Sequence, residues 1–137
     1  MGEVNQFKWV GVRPVLPYEA IPIFQDIPEG AQKVWAYGWA ENNRTIIYTI
    51  PTGKKLCLCT AILMLRVNAD GYGNLHVRDT DDVAQYSIFI ANRQTGNGAS
   101  FSVTFPVPLE IEAGWTINVY SSAPSFYSYG FICGYLI

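Results

Sequence analysis

From residue 32 to the end, apolar and polar positions alternate over short stretches, broken at regular intervals by clusters of Gly, Asn, Asp and Pro. A period of two belongs to β-strands, whose successive side chains point to opposite faces. The pattern predicts strands over residues 33–40, 44–50, 55–67, 73–79, 83–91, 99–107, 115–121 and 128–137. Between them lie turn formers such as Asn42-Asn43, Pro51-Thr52-Gly53, Asp70-Gly71, Gly96-Asn97-Gly98 and Ala113-Gly114,. No stretch carries a helical period. About eight strands with this punctuation predict an all-β chain folded as an antiparallel jelly-roll β-sandwich.

Some strands have one polar face: Phe101, Val103, Phe105 and Val107 oppose Ser102 and Thr104, and Leu75 and Val77 oppose His76 and Arg78,. His76 is accordingly expected at the surface. Two segments are apolar on both faces. In the first, Leu56, Leu58, Ile62 and Met64 fall on one side, with Cys57, Cys59, Ala61, Leu63, Leu65 and Val67 on the other. In the second, Phe131, Cys133, Tyr135 and Ile137 oppose Ile132 and Leu136. A two-layer sandwich has one inner face, so such strands need a second cover, either the N-terminal segment or a partner subunit. A homo-oligomer is expected. Trp35, Tyr37 and Trp39 form a stripe at strand spacing opposite Val34 and Ala36. Inner core or a subunit contact is the expected use, and a sugar-stacking platform the alternative.

Residues 1–31 differ, because Pro14, Pro17, Pro22 and Pro28 deny a ladder its donors and favour extended backbone,. They predict an extended arm ahead of a sandwich domain spanning 32–137. Phe7, Trp9, Val12, Leu16, Tyr18, Ile21 and Phe24 make the arm too apolar for a solvated tail, and they are its candidate partner-binding residues,.

Composition sharpens this picture in two respects. Half of the 137 residues are hydrophobic and only 15% are charged, against about 25% in an ordinary soluble domain. More surface than usual is expected to meet protein. A formal charge of −2 with no basic run argues against nucleic acid,. No apolar stretch approaches the ~20 residues that span a bilayer, and the opening Met1-Gly2-Glu3-Val4 lacks a signal-peptide pattern,. Neither a membrane nor secretion by that route is expected. Three cysteines do not make a disulfide scaffold, and Cys57 and Cys59 share a strand face, which predicts buried small hydrophobes,.

No catalytic set can be assembled. The chain has one histidine, no Gly-x-Ser-x-Gly elbow, and an Asp79, Asp81, Asp82 cluster without the Gly and distal Glu of a calcium loop,. That cluster predicts a solvated turn. Glu110 and Glu112 alternate with Leu109 and Ile111 as the wet side of an edge segment. Neither enzyme activity nor a metal or other cofactor is expected.

Two segments carry a family resemblance. The stretch from Ile47 through Pro51-Thr52-Gly53-Lys54 to Leu56 resembles the tyrosine-threonine-valine-proline-alanine-glycine-lysine lead-in to a long strand in small tailed-phage virion proteins. The stretch from Phe105 through Pro108-Leu109 and Ala113-Gly114-Trp115 to Val119 resembles their late strand pair, and residues 130–137 are similar to their closing strand. The likeness covers residues 44–137 and is shared in part with trimeric complement-like and tumour-necrosis-factor-like jelly rolls. It implies a bacteriophage structural protein made in the host cytoplasm and carried on the capsid surface. Such a protein is a decoration, or cement, protein that trimerises and contacts the major capsid protein or other virion subunits. The alternative it implies is a carbohydrate- or receptor-binding head of a tail or fibre, using Trp35, Tyr37 and Trp39 with Tyr127 and Tyr129.

Overall fold

The computed structural model describes residues 27–137. Eight strands follow in order: β1 (Gln32–Glu41), β2 (Arg44–Thr49), β3 (Leu56–Val67), β4 (Gly71–Arg78), β5 (Ala84–Arg93), β6 (Ala99–Ile111), β7 (Thr116–Ser121) and β8 (Phe126–Leu136). All eight predicted strands are present, and no helix occurs among the described residues. β1 pairs with β8, β2 with β7, β3 with β6 and β4 with β5, all antiparallel. The chain is thus one long hairpin, its first half laid against its second. Further pairing of β3 with β8 and of β4 with β7 rolls that hairpin into two sheets, ordered β1-β8-β3-β6 and β2-β7-β4-β5. This interleaved order is the jelly roll that the strand count predicted.

The core lies between the sheets. Leu56, Leu58, Ala61, Leu63, Leu65 and Val67 of β3 meet Leu75 and Val77 of β4 and Ile117 and Val119 of β7, with Phe126, Ile132 and Leu136 of β8. Leu63, Leu75, Ile117, Val119 and Phe126 are wholly buried. Each such aliphatic or aromatic side chain contributes about 1.5–3 kcal/mol by leaving water.

β3 departs from the expected partition of faces. Its register against both β8 and β6 shifts between Leu58 and Thr60, and against β8 the shift leaves Cys59 as one extra residue. Since side chains alternate, one extra residue reverses the phase of everything beyond it. Leu56 and Leu58 therefore point inward together with Ala61, Leu63, Leu65 and Val67, whereas simple alternation had put those two groups on opposite faces. A second irregularity moves Val107. Pairing on β6 jumps from Leu109 to Thr104 across Pro106 and Pro108, and Val107 ends 81% exposed instead of continuing the inward row of Phe101, Val103 and Phe105.

Close approach explains where glycine stands. Gly134 pairs with Leu58 beside the β3 bulge, and a Cβ there would run into the Cys57 carbonyl. Backbone cannot move aside as a side-chain tip can. Gly134→Ala is expected to lower unfolding stability by about 2 kcal/mol or more, read as an earlier urea midpoint. A midpoint unchanged from the parent chain would show that the two strands have slack at the bulge.

Candidate functional site

The described surface offers three distinct places. The first is the outer face of the β1-β8-β3-β6 sheet. The inner row of β1 is Val34, Ala36, Gly38 and Ala40, and a Cβ at Gly38 would strike Ile47 of β2. Only small side chains fit inside there, so the large ones must point out. Trp35, Tyr37 and Trp39 are accordingly 77%, 54% and 48% exposed, which rules out the inner core and leaves the other expected use, a subunit contact. Across the β1–β8 ladder, Tyr37 stacks on Phe131 at 5.2 Å, while Trp39 lies 6.2 Å from Tyr127 and 6.4 Å from Tyr129. The Arg66 guanidinium sits 5.1 Å above the Tyr127 ring. A shallow groove of about 240 Å³ between Trp35, Thr60, Ile62, Phe131 and Cys133 continues this platform.

Where residues 27–31 cross the same face, the greasy positions are covered. Ile27 and Ala31 pack on Cys57, Cys59 and Tyr135. Burial raises both thiols above the ordinary cysteine range, so Cys57 and Cys59 are inert small hydrophobes as expected,. Cys133, by contrast, is exposed. The candidate partner residues Phe7, Trp9, Val12, Leu16, Tyr18, Ile21 and Phe24 lie outside the described residues.

The second place is the open edge of the sandwich. An apolar cleft of about 340 Å³ runs between β5 and β6, lined by Tyr86, Ile88, Phe89, Val103, Phe105 and Leu109. It reaches the core without any charged group along it.

The third is polar and lies on the outer face of the other sheet. Arg44 of β2 grips the Asp82 carboxylate with both terminal nitrogens, at 2.6 and 2.9 Å. Arg78 reaches the same carboxylate through Nε at 2.9 Å and the Asp82 carbonyl through Nη2 at 2.6 Å. Asp82 itself adopts φ +62°, a strained conformation for a non-glycine residue, and the Arg44 contact holds its carboxyl down at about 2,. Beneath the arginines, His76 is only 5% exposed and Asn118 is fully buried. His76 does point to the outer face, but the arginines and the turn above it remove the solvent that simple alternation had given it. Arg78 Nη1 lies 3.3 Å from His76 Nε2. A guanidinium only donates, so Nε2 accepts and Nδ1 carries the proton. That Nδ1 and Asn118 Oδ1 are buried without a partner among the described residues. Burial first, then the two arginines, depress the imidazole to about 4.

The Asp79, Asp81, Asp82 cluster divides its work. Asp79 accepts from the Asp81 and Val83 amides and from Gln85, as a turn residue should, while Asp82 is an ion-pair partner and not simply solvated. Glu110 and Glu112 are exposed and pair with Lys55, in keeping with a wet edge. Among the described residues no three His, Cys, Asp or Glu side chains gather to hold a metal ion, and no helix is long and apolar enough to cross a membrane.

No protein-family model matches the sequence, and no curated protein matches it significantly. Among solved structures, the chain is similar to the capsular polysaccharide assembling protein CapF from Staphylococcus aureus. The identity is 11% and the TM-score 0.33, over 78% of this chain and 24% of that one, so this chain spans about a quarter of that protein's length. It is also similar to a pentameric capsid protein isolated from metagenomic phage sequences, at 18% identity and TM-score 0.38, over 99% of this chain and 81% of that one. At these scores neither neighbour decides what the chain does.

The buried imidazole has a consequence for acid stability. Its folded-state value lies below that of the unfolded chain, so between about pH 6.5 and 4 the unfolded state takes up a proton that the folded state refuses,. Stability is fully present above that window and is lost as pH falls through it. The loss should be on the order of 2–3 kcal/mol. In urea unfolding at stepped pH, His76→Gln is expected to flatten this decline, and parallel profiles for the two proteins would remove His76 as its source.

Proposed function

We propose that the chain is a non-catalytic bacteriophage structural protein, a capsid decoration protein that works by assembling with copies of itself and spreading contacts over neighbouring virion subunits. The observation that carries this reading is the aromatic outer face of the β1-β8-β3-β6 sheet, where Trp35, Tyr37 and Trp39 stand exposed beside Phe131, Tyr127 and Tyr129. A contiguous apolar face of this kind marks an interaction surface. Being 77%, 54% and 48% exposed, the three rings contribute about 3–5 kcal/mol on leaving water, against the 4–15 kcal/mol lost in immobilising a partner,. One ring would not hold two chains together; a face contributed by each chain would. The family resemblance of residues 44–137 supports the virion setting and a trimer. In this reading the arm, with Phe7, Trp9, Val12, Leu16, Tyr18, Ile21 and Phe24, reaches the capsid subunits, and each weak patch acts at high effective concentration once the first has docked.

A second reading has a specific observation in its favour: the stripe faces solvent in the single chain, as rings that stack on sugars must,. Here Trp35, Tyr37 and Trp39 are a glycan platform on a tail or fibre head.

Light scattering separates the two. The assembly reading expects the mass of three chains at micromolar concentration, Trp35→Ser/Trp39→Ser reduced to single chains with an unchanged far-UV circular dichroism and a lower thermal midpoint, and removal of residues 1–26 leaving the trimer intact while abolishing co-sedimentation with capsid shells. A parent chain that stays single, with tryptophan fluorescence quenched by neutral oligosaccharides, would favour the platform instead.

A further inference from the structure

The polar groove on the outer face of the β2-β7-β4-β5 sheet has no part in that assembly reading. It measures about 370 Å³ and is lined by Arg44, Arg78, Tyr72, Tyr120, Asn74 and His76, with Arg44 directly across the β2–β7 ladder from Tyr120. This is the lower end of the size range of small-molecule sites.

Its hydrogen-bond inventory is lopsided. A guanidinium carries five N–H donors. Arg44 engages one on each terminal nitrogen, and Arg78 shares its Nε–H between the Asp82 carboxylate and carbonyl and engages one on each of Nη1 and Nη2, so the remaining N–H groups of both have no acceptor among the described residues. The Asn74 carbonyl already accepts from Ser87, which leaves its amide N–H groups open. His76 Nδ1 adds an orphaned donor beneath the arginines. Charge is lopsided too. Asp82 is the one carboxylate facing both arginines, while Asp79 is filled by the Asp81 and Val83 amides and Gln85. One positive charge therefore goes unmatched. The tyrosines lie with ring centroids 5.4 Å apart and tilted by 43°, giving an aromatic flank beside the cations.

We propose that this groove binds an acidic sugar, a uronate unit whose carboxylate meets Arg44 and Arg78 and whose ring lies along Tyr72 and Tyr120. A carboxylate supplies the acceptors and the single negative charge that the walls lack, in the planar geometry a guanidinium prefers. Ring hydroxyls supply acceptors for Asn74. Asp82 acts as a positioning residue, holding both guanidiniums in place while occupying only part of their donor set.

Isothermal titration of the full chain with oligomers of galacturonate, glucuronate and mannuronate tests this, with the methyl-esterified oligomers and neutral hexose oligomers as controls. At least one uronate series is expected to bind, its methyl ester at least tenfold more weakly, and its affinity to fall as salt rises. Arg44→Gln and Tyr120→Leu are each expected to weaken binding severalfold while keeping the far-UV circular dichroism of the parent. The groove holds no tryptophan, so Trp35→Ser/Trp39→Ser should bind uronates as the parent does; loss of binding in that variant would move the sugar to the other sheet and overturn the assignment. Equal affinity for acid and ester, or no binding by any uronate, would overturn it as well. None of these outcomes bears on whether the chain trimerises.

Discussion

The architecture turns on the register of β3, which lies between β8 and β6 and pairs with both. Cys59 inserts one residue into that ladder, and the strand changes phase there. Without the insertion, a choice of Leu56 and Leu58 as inward residues would send Ala61, Leu63, Leu65 and Val67 outward and put Thr60, Ile62, Met64 and Arg66 into the core. Ile62 and Met64 would take the places of two leucines, but the same exchange would also put a hydroxyl and an unpaired guanidinium where Ala61 and Val67 now pack, and burying a charge without a partner is costly,. The bulge lets one strand serve the core along its full length. Gly134, pressed against the Cys57 carbonyl, is the matching requirement on the neighbouring strand.

With the core fixed, the two outer faces part ways. Small residues on the inner row of β1 bring β2 close, which expels every bulky ring of that strand to the outside and builds a platform with β8. On the other sheet, the turn at residues 79–82 folds back over β4 and seats Asp82 between Arg44 and Arg78. A layer of His76 and Asn118 is sealed beneath them. One face is apolar and suited to protein; the other is polar, donor-rich and concave. Two surfaces of such different chemistry on opposite sides of one sandwich do not compete for the same partner.

Much of this was legible in the sequence, because strand periods and turn composition are local. All eight strands fall within a few residues of their predicted positions, Leu75 and Val77 point inward as expected, and Cys57 and Cys59 are buried. The β3 bulge was hidden because its strand is apolar in either phase, so alternation held no information about where the phase changed. Trp35, Tyr37 and Trp39 were grouped correctly by spacing, yet their direction depends on the space left by Ile47, a contact made in three dimensions. The polar groove was least legible of all. Arg44 and Asp82 are 38 positions apart in the chain, and nothing local marks either as the other's partner. His76 lost its solvent to the same long-range contact.

Edges supply the last constraint on how such a chain can assemble. β1 and β6 bound one sheet, β2 and β5 the other, and exposed strand edges invite indiscriminate pairing,. β6 is guarded by Pro106 and Pro108, which cannot donate to a ladder, and its pairing breaks at that point,. β2 is short and carries the bulge between Ile46 and Tyr48, which makes it a poor template,. β1 presents Lys33 and Glu41 near its two ends, and charge at an edge discourages a neutral strand from docking there,. β5 is the least protected, with Tyr86 and Ile90 exposed along it. At three of the four edges, then, strand addition is disfavoured, and the proposed assembly would use side chains of the aromatic face rather than added strands. Under the assembly reading, that mode would leave the jelly roll of each subunit complete, with the contact on the sheet against which Ile27 packs.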